Sequence, residues 1–112
     1  MADLDKEKIL KEAIAIYGET LQKTVACEEM AELIKEVVKS IRGANNRKEI
    51  LEEISDVSIC LEQLKLMYKI TDAELEDEIK FKLVRLNGRL RGEQDDWLLI
   101  NLHNSSSSYQ SR

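Results

Sequence analysis

The sequence of 112 residues lacks proline altogether, and it has only four glycines and few aromatic residues, which make up 4% of the chain. Strands are usually richer in aromatic and β-branched residues, and sheets need more turn residues than this chain offers. Hydrophobic residues account for 43% of the sequence and charged residues for 35%. This composition argues against a β-rich fold and predicts a single all-α domain with a modest buried core.

Long apolar runs and an excess of positive charge are also missing. No segment approaches the roughly 20 apolar residues that span a bilayer. The first eight residues, MADLDKEK, are charged and differ from a signal peptide. A net charge of −5 without a basic stripe argues against stable nucleic-acid binding. We therefore expect a cytoplasmic protein that binds neither membranes nor nucleic acid and needs a cation to handle phosphate groups.

Cysteine and histidine are scarce. Cys27 and Cys60 form neither a disulfide framework nor a CxxC metal motif, and both lie among apolar residues. We expect buried free thiols in a reducing compartment. His103 is the single histidine, so the ExxH pairs of helical di-iron proteins and a cysteine–histidine nucleophile are both missing. A glycine-rich phosphate-binding loop is absent as well.

Local signals predict four helices joined by short connections. The expected ranges are about 5–17, 20–41, 46–68 and 71–91, with Gly18 ending the first helix. Asn46 with Glu49, and Thr71 with Glu74, have the spacing of capping boxes at the starts of the last two helices. The pattern predicts an antiparallel helical bundle of about four helices over residues 1–92, followed by a C-terminal tail over residues 93–112 that carries a short apolar segment.

Apolar residues recur at helical spacing on the two long central helices. The predicted core stripe of the second helix consists of Cys27, Met30, Ile34, Val37, Val38 and Ile41. The predicted stripe of the third consists of Ile50, Ile54, Val57, Leu61 and Leu64. Four amphipathic helices in about 90 residues leave more apolar surface than one copy can cover, so we expect a homo-oligomer.

Acidic residues on the second helix fall within one sector of the helical wheel: Glu28, Glu29, Glu32 and Glu36. Like charges one turn apart repel each other by a few tenths of a kcal/mol per pair, so a positive group is expected over this face.

A second acidic pair lies on the third helix. Glu53 lies at the edge of that helix's apolar stripe with Asp56 beside it. A partly buried carboxylate needs a compensating cation or donor. If the two helices are antiparallel neighbours, carboxylates from both converge on one groove. An oxygen-rich site of this kind suits Mg²⁺ or Mn²⁺.

The motif Glu29-x-x-Glu32, 20 intervening residues, and Glu53-x-x-Asp56 resembles the signature of the MazG-like all-α nucleoside triphosphate pyrophosphohydrolases. The similarity extends over about residues 17–90. The resemblance implies a Mg²⁺-dependent hydrolase, built as a homodimer or homotetramer, that cleaves a (d)NTP between the α- and β-phosphates. The products are a nucleoside monophosphate and pyrophosphate, as in the house-cleaning of nucleotide pools.

Individual roles follow from the resemblance. It implies four metal ligands: Glu29, Glu32, Glu53 and Asp56. Glu28 would support these ligands or orient the attacking water. Lys82 and Arg85, a basic pair on the fourth helix, would contact phosphate oxygens, and Gln22 would line the pocket for the base.

Two alternatives stay open. One is a non-enzymatic helical dimerisation or adaptor module whose acidic face binds a basic partner, which predicts neither stabilisation by Mg²⁺ nor release of pyrophosphate. The other is an enzyme similar to phosphoribosyl-ATP pyrophosphatase.

Overall fold

Four α-helices make up most of the part of the chain that a computed structural model describes, residues 4–92. They are α1 (Lys6–Tyr17), α2 (Glu19–Ile41), α3 (Arg47–Met67) and α4 (Asp72–Leu90), and this part of the chain contains no strand. The predicted all-α class with four helices is confirmed. The tail over residues 93–112 and its apolar segment lie outside the described residues. Within residues 4–92, none of the helices is long and apolar enough to cross a lipid bilayer.

The helices belong to two compact units. The first ends at Ile70 and contains α1, α2 and α3, and the second begins at Thr71 and contains α4. The predicted single domain over residues 1–92 stays a prediction.

Short-range capping determines where α1 and α4 begin, and at α4 it is the capping box that the sequence predicts. The backbone N–H of Lys8 donates to Asp5 Oδ1 at 3.1 Å, so Asp5 caps α1. Gly18 ends this helix with a φ of 86°, a left-handed conformation that side chains disfavour. At α4 the capping box is complete. The N–H of Glu74 donates to Thr71 Oγ1 at 3.1 Å, and the N–H of Thr71 donates to Glu74 Oε2 at 2.9 Å.

The capping box predicted at the start of α3 is wrong. Asn46 occupies the N-cap position, but its side chain makes no capping hydrogen bond to α3. Its Nδ2 instead donates to the backbone oxygen and to Oε1 of Glu36, both at 2.9 Å. Glu36 is 7% exposed, and a buried carboxylate without a donor would cost more than a lost cap. Asn46 therefore ties α2 to α3.

α2 and α3 form an antiparallel hairpin, which is the most extensive helix pair in the first unit. The order of the contacting residues along the two helices shows that α2 and α3 run in opposite directions. Gln22 pairs with Gln63 at the open end and Glu36 with Asn46 at the loop end. α1 packs against both helices, and Lys6 Nζ lies 3.3 Å from Glu62 Oε1 on α3.

The predicted core stripes of α2 and α3 are only partly buried. Met30 on α2 is half-buried, as are Ile50, Val57 and Leu64 on α3, and the other members are exposed. Ile34 is 64% exposed and Ile41 79% on α2, while Ile54 and Leu61 on α3 are each about half exposed. The other predicted α2 residues Cys27, Val37 and Val38 are exposed as well. The buried positions of the two helices are instead Gln22, Ala26, Glu36, Cys60 and Gln63. Polar residues therefore make up more than half of the buried positions of α2 and α3, while several large apolar residues of both helices are exposed.

Candidate metal centre between α2 and α3

Three carboxylates converge near the middle of the hairpin. One oxygen from each of Glu29, Glu53 and Asp56 lies within 4.8 Å of the others. Glu29 comes from α2, while Glu53 and Asp56 lie almost one turn apart on α3 and therefore point to the same side. Glu29 and Glu53 are half-buried and Asp56 is exposed, so the cluster opens to solvent on one side.

The ion pairs on α1, α2 and α3 involve other acidic residues, which are Glu7, Glu19, Glu32, Glu36 and Glu62. Glu53 Oε2 is buried and has no hydrogen-bond partner. Partial desolvation raises the pKa of Glu29, and the charges of Asp56 and Glu53 and the hydrogen bonds to them raise it further. The cluster therefore brings three acidic groups close together, and one of its buried oxygens has no hydrogen-bond partner.

The donor set suits a hard divalent cation. Three carboxylates on two helices supply oxygen ligands only, which is the chemistry that Mg²⁺ and Mn²⁺ prefer. An ion here would give Glu53 Oε2 the partner that it lacks and would reduce the repulsion between the two helices.

Two acidic residues of the predicted site lie outside this cluster. Glu32 is exposed, and its Oε2 lies 3.9 Å from Lys35 Nζ. Glu28 is exposed too. The structure thus brings together three of the four expected ligands, and the roles of Glu32 and Glu28 stay predictions.

Gln22, the residue expected near the base, is buried at the open end of the hairpin. It is 8% exposed and Gln63 is 6% exposed. Nε2 of Gln63 donates to Oε1 of Gln22. Sequence reasoning missed Gln63, although a polar residue seven positions after Asp56 lies on nearly the same side of α3 and could have indicated it. The hairpin interior therefore has three polar layers, with the carboxylates between the glutamine pair and the Glu36–Asn46 pair.

Lys82 and Arg85, the expected phosphate contacts, lie on α4 in the second unit. Lys82 Nζ is 3.6 Å from Glu78 Oε1 on the same helix, and both side chains are partly buried. The predicted contact of this basic pair with phosphate stays a prediction.

The two cysteines differ in their surroundings. Cys60 is a buried free thiol, as expected, one turn from Asp56. Burial raises the pKa of Cys60, and the negative charges of Glu29 and Asp56 add to the effect, so its thiol stays protonated at neutral pH. Cys27 is exposed, and the expectation of a second buried thiol is wrong.

Comparison of the chain with protein-family models, with curated proteins and with solved structures finds no match. The resemblance to the MazG-like enzymes therefore rests on the motif and its spacing.

Proposed function

We propose that this protein is a Mg²⁺-dependent nucleoside triphosphate pyrophosphohydrolase, which converts a (d)NTP and water to a (d)NMP and pyrophosphate. The observation that carries the proposal is the convergence of Glu29, Glu53 and Asp56 within 4.8 Å, with a buried oxygen of Glu53 that has no partner. These are three of the four acidic positions of the motif that resembles the MazG-like signature.

Glu29, Glu53 and Asp56 would hold Mg²⁺ or Mn²⁺, and Glu32 would join them through a change of its side-chain rotamer. Once bound, the cation neutralises phosphate charge and lowers the pKa of a coordinated water. The protein positions the substrate and supplies a fixed electrostatic environment, as is general in phosphoryl transfer.

Other residues have proposed roles that need no metal ligation. Glu28, next to Glu29 and exposed, would orient the attacking water or accept its proton. Lys82 and Arg85 would neutralise charge on phosphate oxygens. Because Oε1 of Gln22 accepts the hydrogen bond from Gln63, Gln22 would contact the base by donating from its amide nitrogen Nε2.

We also propose that the protein is a cytoplasmic homodimer or homotetramer that acts on free nucleotides. Its support is the exposed apolar surface of the hairpin, where Ile34 and Ile41 are 64% and 79% exposed. Burying such surface against another subunit is favourable by about 25 cal/mol per Å².

The test is a panel of canonical and damaged (d)NTPs, with phosphoribosyl-ATP included, incubated with Mg²⁺ and separated by chromatography. Monophosphate with pyrophosphate supports the proposal, whereas diphosphate with orthophosphate means that another bond is cut. Glu32→Gln and Glu53→Gln should each lower turnover about 100-fold or more and leave the helical spectrum intact. Glu52→Gln, a neighbouring exposed glutamate outside the cluster, should leave turnover unchanged.

The exposed apolar surface also favours a second candidate, a dimerisation or adaptor module without catalysis. If micromolar protein consumes no nucleotide of the panel and Mg²⁺ does not stabilise the fold, this candidate replaces the enzyme.

A further inference from the structure

The buried glutamine pair at the open end of the hairpin has hydrogen-bonding capacity left over. Gln22 and Gln63 are 8% and 6% exposed, and Nε2 of Gln63 donates to Oε1 of Gln22. A glutamine amide has one acceptor oxygen and two N–H donors, so Nε2 of Gln22 and Oε1 of Gln63 take no part in this bond. Within residues 4–92, neither atom has another hydrogen bond, and neither is fully buried without a partner. Both atoms therefore reach solvent, and the pair offers a donor and an acceptor to a ligand.

The pair lies two helical turns from the candidate metal centre. Gln22 precedes Glu29 by seven residues on α2, and Gln63 follows Asp56 by seven residues on α3. Seven residues return a side chain to nearly the same side of a helix and advance it by about 10 Å along the axis. In a nucleotide, the sugar separates the base from the phosphates. A nucleotide whose phosphates lie at the carboxylates can therefore extend its base along the hairpin to the pair.

The hydrogen bond within the pair can form in either direction. A glutamine amide keeps nearly the same shape when its oxygen and nitrogen exchange places. With Gln63 as the donor, as in the structure, Gln22 presents its amide nitrogen to a ligand. If both amides rotate by half a turn, Gln22 becomes the donor within the pair and presents its oxygen instead. Both arrangements keep the buried hydrogen bond, so neither has the cost of an unpaired buried amide.

The two arrangements match the two classes of nucleobase. Guanine, thymine and uracil carry a carbonyl oxygen that accepts hydrogen bonds, where adenine and cytosine carry an amino group that donates them. An amide nitrogen on Gln22 suits the first class, and an amide oxygen suits the second. A glutamine that its partner held in one orientation would instead select one class, because the other class would leave a polar group unpaired.

We propose that the Gln22–Gln63 pair contacts the base of the substrate in both arrangements, so that the site takes keto and amino bases alike. Gln63 is then a positioning residue, because its hydrogen bond decides which group Gln22 presents. The inference rests on the proposed function and adds a substrate class to it, which is nucleoside triphosphates of either base type.

Hydrolysis of CTP and UTP tests the pair, because the two nucleotides share sugar and phosphates and differ at one edge of the base. The wild type should cleave both, with kcat/KM values within about 10-fold of each other. Gln63→Glu introduces a carboxylate that only accepts, so Gln22 turns its oxygen to the base and the ratio shifts towards CTP by about 10-fold or more. Gln63→Lys introduces a group that only donates, so the ratio shifts towards UTP by a similar factor.

Gln63→Leu is the control, since it removes the partner without fixing the orientation of Gln22. It should lower kcat/KM for both nucleotides and leave their ratio close to that of the wild type. A charge added at this position affects both triphosphates equally, so the ratio reports the base alone. Helical spectra check the folding of each variant. If the wild type cleaves both nucleotides but Gln63→Glu and Gln63→Lys do not shift the ratio in opposite directions, the inference is wrong and the proposed function stands.

Side-chain amide NMR signals measure base binding without hydrolysis and without the charged variants. In EDTA, millimolar CMP and UMP should each shift the signals of Gln22 and Gln63, which Gln22→Leu and Gln63→Leu identify. If neither nucleotide shifts these signals, the inference is overturned whether or not the protein is a hydrolase. If both nucleotides shift them but no triphosphate is consumed, the pair binds bases and the proposed hydrolysis fails.

Discussion

Neutralising two of the three clustered carboxylates should stabilise the protein when no metal is present. With oxygens within 4.8 Å, two full charges repel each other by about 3 kcal/mol at an effective dielectric constant of 20. Exposure of Asp56 and the raised pKa of Glu29 both reduce this repulsion. We therefore expect Glu53→Gln/Asp56→Asn to raise the free energy of unfolding in EDTA by about 1–2 kcal/mol.

Mg²⁺ should reverse the order of stability. A ligand at 100 times its Kd stabilises the folded state by about 2.7 kcal/mol, so 10 mM Mg²⁺ should do so for the wild type if Kd is about 0.1 mM. The double variant lacks two of the three ligands and should gain little. The wild type is then the less stable protein in EDTA and the more stable one in Mg²⁺.

Urea unfolding at neutral pH, followed by far-ultraviolet circular dichroism, measures both effects. Glu12→Gln/Glu52→Gln removes the same charge from two exposed positions outside the cluster and serves as the control. Glutamine and glutamate have similar helix propensities, as do asparagine and aspartate, so local effects are small. The reasoning is refuted if the cluster variant is less stable than the wild type in EDTA, or if Mg²⁺ stabilises all three proteins equally.

Three further predictions concern other sites. The hydrogen bond from Asn46, and then the interaction with Lys39, lower the pKa of Glu36 below its ordinary 4.5. The wild type should therefore be more stable than Glu36→Gln, with the full advantage above pH 4.5 and a decline as pH falls through the lowered pKa. A difference in the free energy of unfolding that stays constant between pH 7 and pH 3 would contradict this prediction. Lys69 has a φ of 56° at the end of α3, a left-handed conformation that glycine adopts more easily than other residues. In urea unfolding, Lys69→Gly should therefore raise the free energy of unfolding by about 0.5 kcal/mol, whereas Lys69→Ala should not. Equal effects of the two variants would exclude relief of backbone strain. In nucleotide hydrolysis, Lys82→Ala should lower kcat/KM about 10–100-fold with unchanged Mg²⁺ affinity by calorimetry, and a parallel loss of that affinity would contradict a phosphate contact.

The sequence by itself determined where α1 ends and where α4 begins. Gly18 and the Thr71–Glu74 pair act within a few residues of the chain, so their effect depends little on the rest of the fold. The spacing of Glu53 and Asp56 also predicts that both lie on one side of α3, because helix geometry alone decides it. The acidic character of the candidate site was therefore predictable.

Only the tertiary structure decided which side of α2 meets α3. Periodicity reveals an apolar ridge, but it does not reveal whether that ridge is covered within the protomer, and Ile34 and Ile41 remain largely exposed. The polar side of α2 faces α3 because Glu36 and Gln22 find donors there, in Asn46 and Gln63. That choice brings Glu29 to the carboxylates of α3, while Glu32 lies outside the cluster with its Oε2 3.9 Å from Lys35 Nζ.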